Sequence, residues 1–258
     1  MEKRNILEVK NLTKKFPKII ANNNISISFR SQEIHCLIGE NGAGKTTLAE
    51  CIYGYYQPES GDIFFNGSKV NISSPRVARK LGIGMVHQHF VLVDTLSVLE
   101  NIVMGLEDEK FFIDLNQAEK KLTKVCNLYG VEIDLKAKIW QLSVGEKQWV
   151  EILKTLFVDV SFLILDEPTA VLTPQETEKL FEVLRKMKKE GLSIVLITHK
   201  LDEVVRLADR ISVLRKGSLI KTINKNDTSK REIARMMVGR EVIFKVRREE
   251  IIPGDVLL

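Results

Sequence analysis

Long hydrophobic runs are missing from this chain: no apolar stretch approaches the roughly 20 residues that a helix needs to span a bilayer. The opening segment, MEKRNILEVK, is charged and passes straight into a strand pattern, so it lacks the apolar centre of a secretory signal. Cysteine is scarce too. With 3 in 258 residues, an odd number set far apart, no disulfide framework is expected. Cys36 falls in an apolar strand pattern and Cys51 in a helical one, which predicts buried free thiols. Internal repeats and low-complexity tracts are absent. So is a large excess of one charge: the formal net charge is +5, and basic residues are interspersed with acidic ones. This reads as a solvated surface with one phosphate site, and no nucleic acid is expected as a partner. The chain is expected to reside in the cytoplasm.

What is present is ordinary globular composition, 44% hydrophobic and 28% charged, in a chain long enough to bury a sizeable core. Ile25, Ile27 and Phe29 alternate with Ser26, Ser28 and Arg30, the period-2 pattern of a half-exposed strand. IHCLIG (34–39), FLILDE (162–167) and SIVLITH (193–199) are continuous apolar runs, as parallel strands covered on both faces require. A helix is predicted over 174–190, with Leu180, Val183, Leu184 and Met187 on its buried face. Thr173-Pro174-Gln175-Glu176 supplies its capping box and Gly191 its end. Ser229 to Glu232 reads as a second capping box, with Gly239 closing that helix. Asn66-Gly67 between DIFF and SKV predicts a hairpin. The stretch 97–158 is helix-patterned and interrupts the alternation of strands and helices. The fold expected is α/β, a mainly parallel core sheet with an antiparallel β subdomain and an inserted helical subdomain. On this reading 1–96 and 159–225 form the core with its β subdomain, 97–158 the helical insert, and 226–258 a terminal helix and tail.

The chemistry is concentrated in one run. Gly39-Glu40-Asn41-Gly42-Ala43-Gly44-Lys45-Thr46-Thr47 fits a P-loop and follows a buried strand. Its glycines let backbone N–H groups turn toward a phosphate, and the next helix presents its positive end. Lys45 can reach the β and γ phosphates, and the Thr46 hydroxyl can ligate Mg²⁺. Asp166 and Glu167 close the strand 162–165, where carboxylates face a ligand crevice. Asp166 suits the Mg²⁺ shell, and Glu167 can polarise an attacking water. His87 and His89 are not read as a metal site, because no further ligand cluster accompanies them.

Over nearly its whole length the sequence resembles the ATP-binding cassette (ABC) ATPases, P-loop NTPases of RecA-like fold. The segment LSVGEKQ (142–148), between the P-loop and FLILDE, is similar to that family's LSGGQ signature. Ser143 and Gly145 match it, Val144 replaces its first glycine, and Glu146 takes the glutamine position. The resemblance makes Gln88 the Q-loop glutamine that contacts Mg²⁺ or water. It makes His199 the switch histidine at the γ-phosphate, and Phe16 the aromatic that stacks on adenine. It implies ATP and Mg²⁺ as cofactors, and an ATPase whose nucleotide lies between one P-loop and the signature of a second cassette. Two departures stand out: Thr173 replaces the usual D-loop aspartate, and Trp149 stands where many relatives carry an arginine.

The text of VHQHFVLVDTLSVLENIVMG and LDEPTAVLTPQE is similar to the simple-sugar and nucleoside importer branch, where one chain carries two cassettes. The chain is therefore expected to be the N-terminal half of a tandem ATPase. Its tail (238–258) is similar to the linker after a first cassette, and Val256-Leu257-Leu258 to the opening of the first copy. The resemblance implies transmembrane permease subunits as partners and a place on the cytoplasmic face of the membrane. Two other readings stand beside it: a soluble ABC ATPase acting on ribosomes or nucleic acid, and a nucleotide-binding regulator that hydrolyses poorly. The absence of sustained heptads between Lys45 and Ser143 argues against the coiled-coil types of the first.

Overall fold

The alternation that marks the N-terminal strands also decides their packing. The chain is described here by a computed structural model covering residues 4–104 and 114–239. It begins with β1 (Asn5–Phe16) and β2 (Ile19–Arg30), paired antiparallel. Ile25, Ile27 and Phe29 of β2 point into the core while Ser26 stays exposed. The wholly buried β3 (Ile34–Ile38) leads through a loop to α1 (Lys45–Ile52). Next come β4 (Ser60–Phe65) and β5 (Ser68–Val70), joined at Asn66 and Gly67. Both turn residues have positive φ, 52° and 83°, as a two-residue type I′ hairpin demands.

There follow α2 (Pro75–Lys80), β6 (Ile83–Val86), α3 (Val98–Met104), α4 (Leu115–Tyr129) and α5 (Val144–Leu156). The chain then returns to alternation with β7 (Phe162–Asp166), α6 (Pro174–Lys189), β8 (Ser193–Thr198) and α7 (Leu201–Leu207). It continues with β9 (Arg210–Arg215), β10 (Ser218–Asn224) and α8 (Lys230–Val238).

Two sheets result. One is antiparallel, in the order β2-β1-β4-β5. The other runs β10-β9-β3-β8-β7-β6, parallel throughout except for the antiparallel edge strand β10. Because successive side chains of a strand face opposite ways, the parallel sheet feeds two cores. Leu37, Phe162, Ile164 and Ile197 pack against α1 and the antiparallel sheet, with Leu7, Phe29 and Leu48. Cys36, Leu163, Leu165 and Leu196 face the other way, onto helices contributing Ile102, Leu122, Leu153 and Leu184.

The segment expected to be helical contains α3, α4 and α5, and its apolar faces join the core beneath the parallel sheet. Trp149 is part of that joint core, which accounts for a large apolar side chain at its position. All three cysteines are buried and free. Thr173 and Glu176 form the reciprocal box expected at the start of α6. At α8 only half of the expected box forms. Ser229 Oγ accepts the Glu232 N–H, but the Glu232 carboxylate takes the Thr228 hydroxyl at 3.0 Å. A neighbouring hydroxyl won that competition. The linker-like tail beyond Gly239 lies outside the described residues.

Candidate functional site

Parallel strands deliver their carboxyl ends to one edge, and four of them bring candidate residues there. β3 ends at the loop 39–44, β7 at Asp166, β8 just before His199, and β6 just before His87 and Gln88. The register sets Asp166 against Ile197 and Val86 against Leu165.

The loop is braced from outside. Gly44 caps α1 with φ 99°, and a Cβ there would stand 2.2 Å from the Ala21 carbonyl oxygen, so only glycine fits. The Asn22 amide donates to the Gly44 carbonyl at 3.0 Å, and the Gly217 N–H to the Ala43 carbonyl at 3.1 Å. Asn22 is fully buried, a role hidden in the sequence by the run of three asparagines at 22–24. Gly39 leads into the loop directly from β3. Lys45 is buried, and its ammonium donates to the carbonyls of Gly39 at 2.9 Å and Glu40 at 3.0 Å. Burial lowers its pKa, against the pull of Glu167 and Asp166. Asn41, Gly42 and Thr46 are exposed and Thr47 half-buried.

Asp166 is 1% exposed, and burial raises its pKa. The Thr46 hydroxyl bonds its carboxylate, while Oδ1 has no partner. An orphaned buried carboxylate oxygen beside a hydroxyl is the donor set of a hard cation completed by phosphate and water. Accordingly, no group of three or more His, Cys, Asp or Glu among the described residues could hold a metal by itself. Glu167 takes the left-handed conformation, φ 47°, an unfavourable state for a side chain of this kind. Its N–H donates to the Ile197 carbonyl at 3.0 Å, and its Oε1 receives His199 Nδ1–H at 2.9 Å. The structure thus joins Lys45, Thr46, Asp166, Glu167 and His199 in one cluster. Glu203 of α7, which sequence reasoning missed, is hydrogen-bonded directly behind it.

Gln88 is exposed in the bend after β6. The loop beyond it is fastened to the helices. Val91 N–H donates to Glu151 at 2.5 Å, Lys154 to the Val91 carbonyl at 3.0 Å, and Val93 N–H to Asn101 at 2.7 Å. His87 sits edge-on to Tyr53 and Tyr55, and burial lowers its pKa. A groove of about 360 Å³ opens there, lined by Tyr53, Tyr55, Arg79, His87, Glu151 and Lys154 among others. Ser143 caps α5 and exchanges hydrogen bonds with Glu146, whose carboxylate returns to the Ser143 N–H at 2.8 Å. Gly145 is buried beneath Glu176 of α6, where an added Cβ would lie 2.0 Å from Oε1. Phe16 is half-buried, edge-on to Tyr56 at 5.3 Å, with the Lys14 ammonium 5.3 Å over its ring.

The chain is similar to known proteins. The ABC transporter family pattern matches residues 22–170. The chain is 50% identical to a guanosine import ATP-binding protein of Bacillus subtilis, over 98% of this chain and 50% of that one. It is 42% identical to a glucose import ATP-binding protein of Haloferax volcanii, over 100% of this chain and 52% of that one. A dimeric bacterial ABC transporter cassette superimposes with TM-score 0.74 at 26% identity, covering 85% of this chain and 98% of that one. The chain spans about half the length of the curated relatives it matches. It belongs to the ABC transporter family and has the fold of that family's ATP-binding cassettes.

Proposed function

We propose that this chain binds Mg-ATP and hydrolyses it to ADP and phosphate, as a motor cassette of an importer for sugars or nucleosides. The observation that carries this reading is the Glu167–His199 contact of 2.9 Å beside the unpartnered Asp166 Oδ1, at the mouth of the glycine loop. The Lys45 ammonium, held by two carbonyls, exchanges them for β- and γ-phosphate oxygens. Phe16 offers a ring to the base. Asp166 and Thr46, with Gln88 from the neighbouring strand end, would hold Mg²⁺, which would supply neutralisation of the β- and γ-phosphate charge. Glu167 accepts a hydrogen bond from the attacking water, and His199 faces the γ-phosphate. These groups act by position and electrostatics, because phosphoryl transfer asks little covalent chemistry of the protein.

The capped start of α5, with Ser143 and Gly145, is a helix end suited to an anion and is taken to meet the nucleotide of a second cassette. Glu146 serves there through the cap it closes. The half-length match to the relatives supports a tandem chain as the source of that second cassette. The groove beside His87 is taken as the seat of a permease helix, which puts the protein at the cytoplasmic face of the membrane. Among the described residues no helix is long and apolar enough to cross a membrane. The names of the relatives, a glucose and a guanosine import protein among them, support the sugar-or-nucleoside reading.

The deciding experiment is phosphate release with Mg-ATP, run beside solution mass of Glu167→Gln with and without nucleotide. Turnover that the substitution removes supports the hydrolase reading, and turnover unchanged in Glu167→Gln overturns it. A nucleotide-dependent doubling of mass would show this cassette completing both sites with a copy of itself. A monomer that binds nucleotide supports a tandem chain as the source of the second cassette.

A further inference from the structure

Behind the Glu167–His199 pair lies a second buried cluster that the proposed chemistry does not use. Glu203, on the first turn of α7, is 5% exposed, and both of its carboxylate oxygens are engaged. Oε1 receives the Thr169 hydroxyl, and Oε2 receives the Thr198 hydroxyl at 2.7 Å. Thr169 and Thr198 are themselves 1% and 2% exposed. Lys200 closes the set. Its ammonium lies 3.4 Å from Glu203 Oε1 and donates to the Thr169 carbonyl at 2.9 Å, while its N–H donates to the Thr198 hydroxyl at 3.0 Å. Each threonine hydroxyl thus donates to the carboxylate and accepts from Lys200.

The two threonines are not arbitrary anchors. Thr198 immediately precedes His199, and Thr169 follows Glu167 by two residues. Glu203 therefore ties the segment leaving β7 to the end of β8, next to the two residues that make the Glu167–His199 contact. A buried carboxylate is costly unless fully hydrogen-bonded, and an apolar pair of similar volume would fill the space at least as stably. What such a pair would not do is set the spacing of two turns. Glu167 needs that restraint, because a left-handed φ of 47° persists only where surrounding contacts over-determine it.

We infer that Glu203 is a positioning residue, whose carboxylate clamps Thr169 to Thr198 and so sets the separation of Glu167 and His199. The inference rests on the proposed reading of those two as the groups facing the γ-phosphate and water. It requires no contact between Glu203 and nucleotide.

The test uses the 258-residue chain and two readouts. The first is the imidazole signals of His199 in long-range ¹H–¹⁵N spectra, tractable with 4 histidines and independent of nucleotide. In Glu203→Ala these signals are expected to move toward their positions in Glu167→Gln. Glu203→Gln, which keeps an acceptor in place, moves them less. The second readout is ATP turnover. It is expected to fall by roughly ten- to a hundredfold in Glu203→Ala with KM changed less than about threefold, as an ångström-scale misplacement of reacting groups does. Thr198→Val removes one arm of the clamp without unpairing a buried charge; it is expected to move both readouts the same way should Glu203→Ala fold poorly. His199 signals unmoved in both variants, or a loss of turnover matched by an equal rise in KM, overturns the clamp. A wild-type chain without turnover counts against the hydrolase reading alone, and the spectra still decide the positioning role.

Discussion

His199 Nδ1 lies 2.9 Å from Glu167 Oε1, so the imidazole is held by the carboxylate it is proposed to work beside. With Nδ1–H donating to Glu167, Nε2 can donate to a phosphate oxygen only when the ring also carries its second proton. Substituting either partner therefore changes the other.

Glu167→Gln is expected to keep nucleotide affinity within about twofold and to lose roughly a hundredfold or more of turnover, the scale of removing a positioned general base. His199→Ala is expected to lower turnover, and the double variant to fall no further than the worse single one, because the pair acts as a unit. Single-turnover phosphate release in the four proteins checks this; additive losses would show two independent groups.

Asp166 should be a stability cost retained for function. Burial raises its pKa above the unfolded value, so the ionised carboxylate is disfavoured in the fold, and stability falls as pH rises through the unfolded pKa toward the folded one. Asp166→Asn is expected to raise the nucleotide-free melting midpoint by about 2–4 °C, equivalent to ~1 kcal/mol, while Mg-ATP no longer stabilises the chain. A lower midpoint would mean that the Thr46 hydrogen bond to the carboxylate outweighs the cost of burying it.

Acid stability should be set at the far end of β3. The Glu33 carboxyl is pushed up by burial, but His35, the Arg30 N–H and Arg210 together hold it below its ordinary value. His35, fully buried and bonded to Ser212 at 2.8 Å, is lowered by burial. Both folded pKa values lie below the unfolded ones, so each group contributes stability above its unfolded pKa that is lost as pH falls. The decline is expected to begin below about 6.5 with His35 and to continue through the carboxylate range with Glu33. Urea midpoints from pH 8 to pH 4 check this, with Glu33→Gln flattening only the more acidic part.

Gly145→Ala and Gly44→Ala should behave differently. The obstacle at 145 is the Glu176 carboxylate, a side-chain end tied to Thr173, whereas the obstacle at 44 is the Ala21 backbone. Gly145→Ala is expected to cost about 1–2 kcal/mol, most of it relieved in combination with Glu176→Ala. Gly44→Ala is expected to cost more, through both the close backbone and its left-handed φ of 99°. Denaturant midpoints of the single and double variants decide the comparison.

Much of this protein was legible in local text. The P-loop, the Asn66-Gly67 hairpin, the Thr173–Glu176 box and the apolar runs of β3, β7 and β8 each declare themselves within one turn or strand. The physical reason is that backbone conformation, capping and burial period depend on residues a few positions apart. Motif order extended that reading to the whole cassette through resemblance. The half-formed cap at Ser229 marks where even local text misled, since the adjacent Thr228 competes for the same carboxylate.

Tertiary structure decided what links distant segments. Asn22 bracing the Gly44 carbonyl, Glu176 covering Gly145, Glu151 holding the Val91 N–H and Glu203 joining Thr169 to Thr198 each set a side chain against a group from a distant segment. Neither member of such a pair carries a periodic signature. The Glu203 link, for one, is fixed only once the parallel register brings the ends of β7 and β8 to one edge, and that register is a property of the folded sheet.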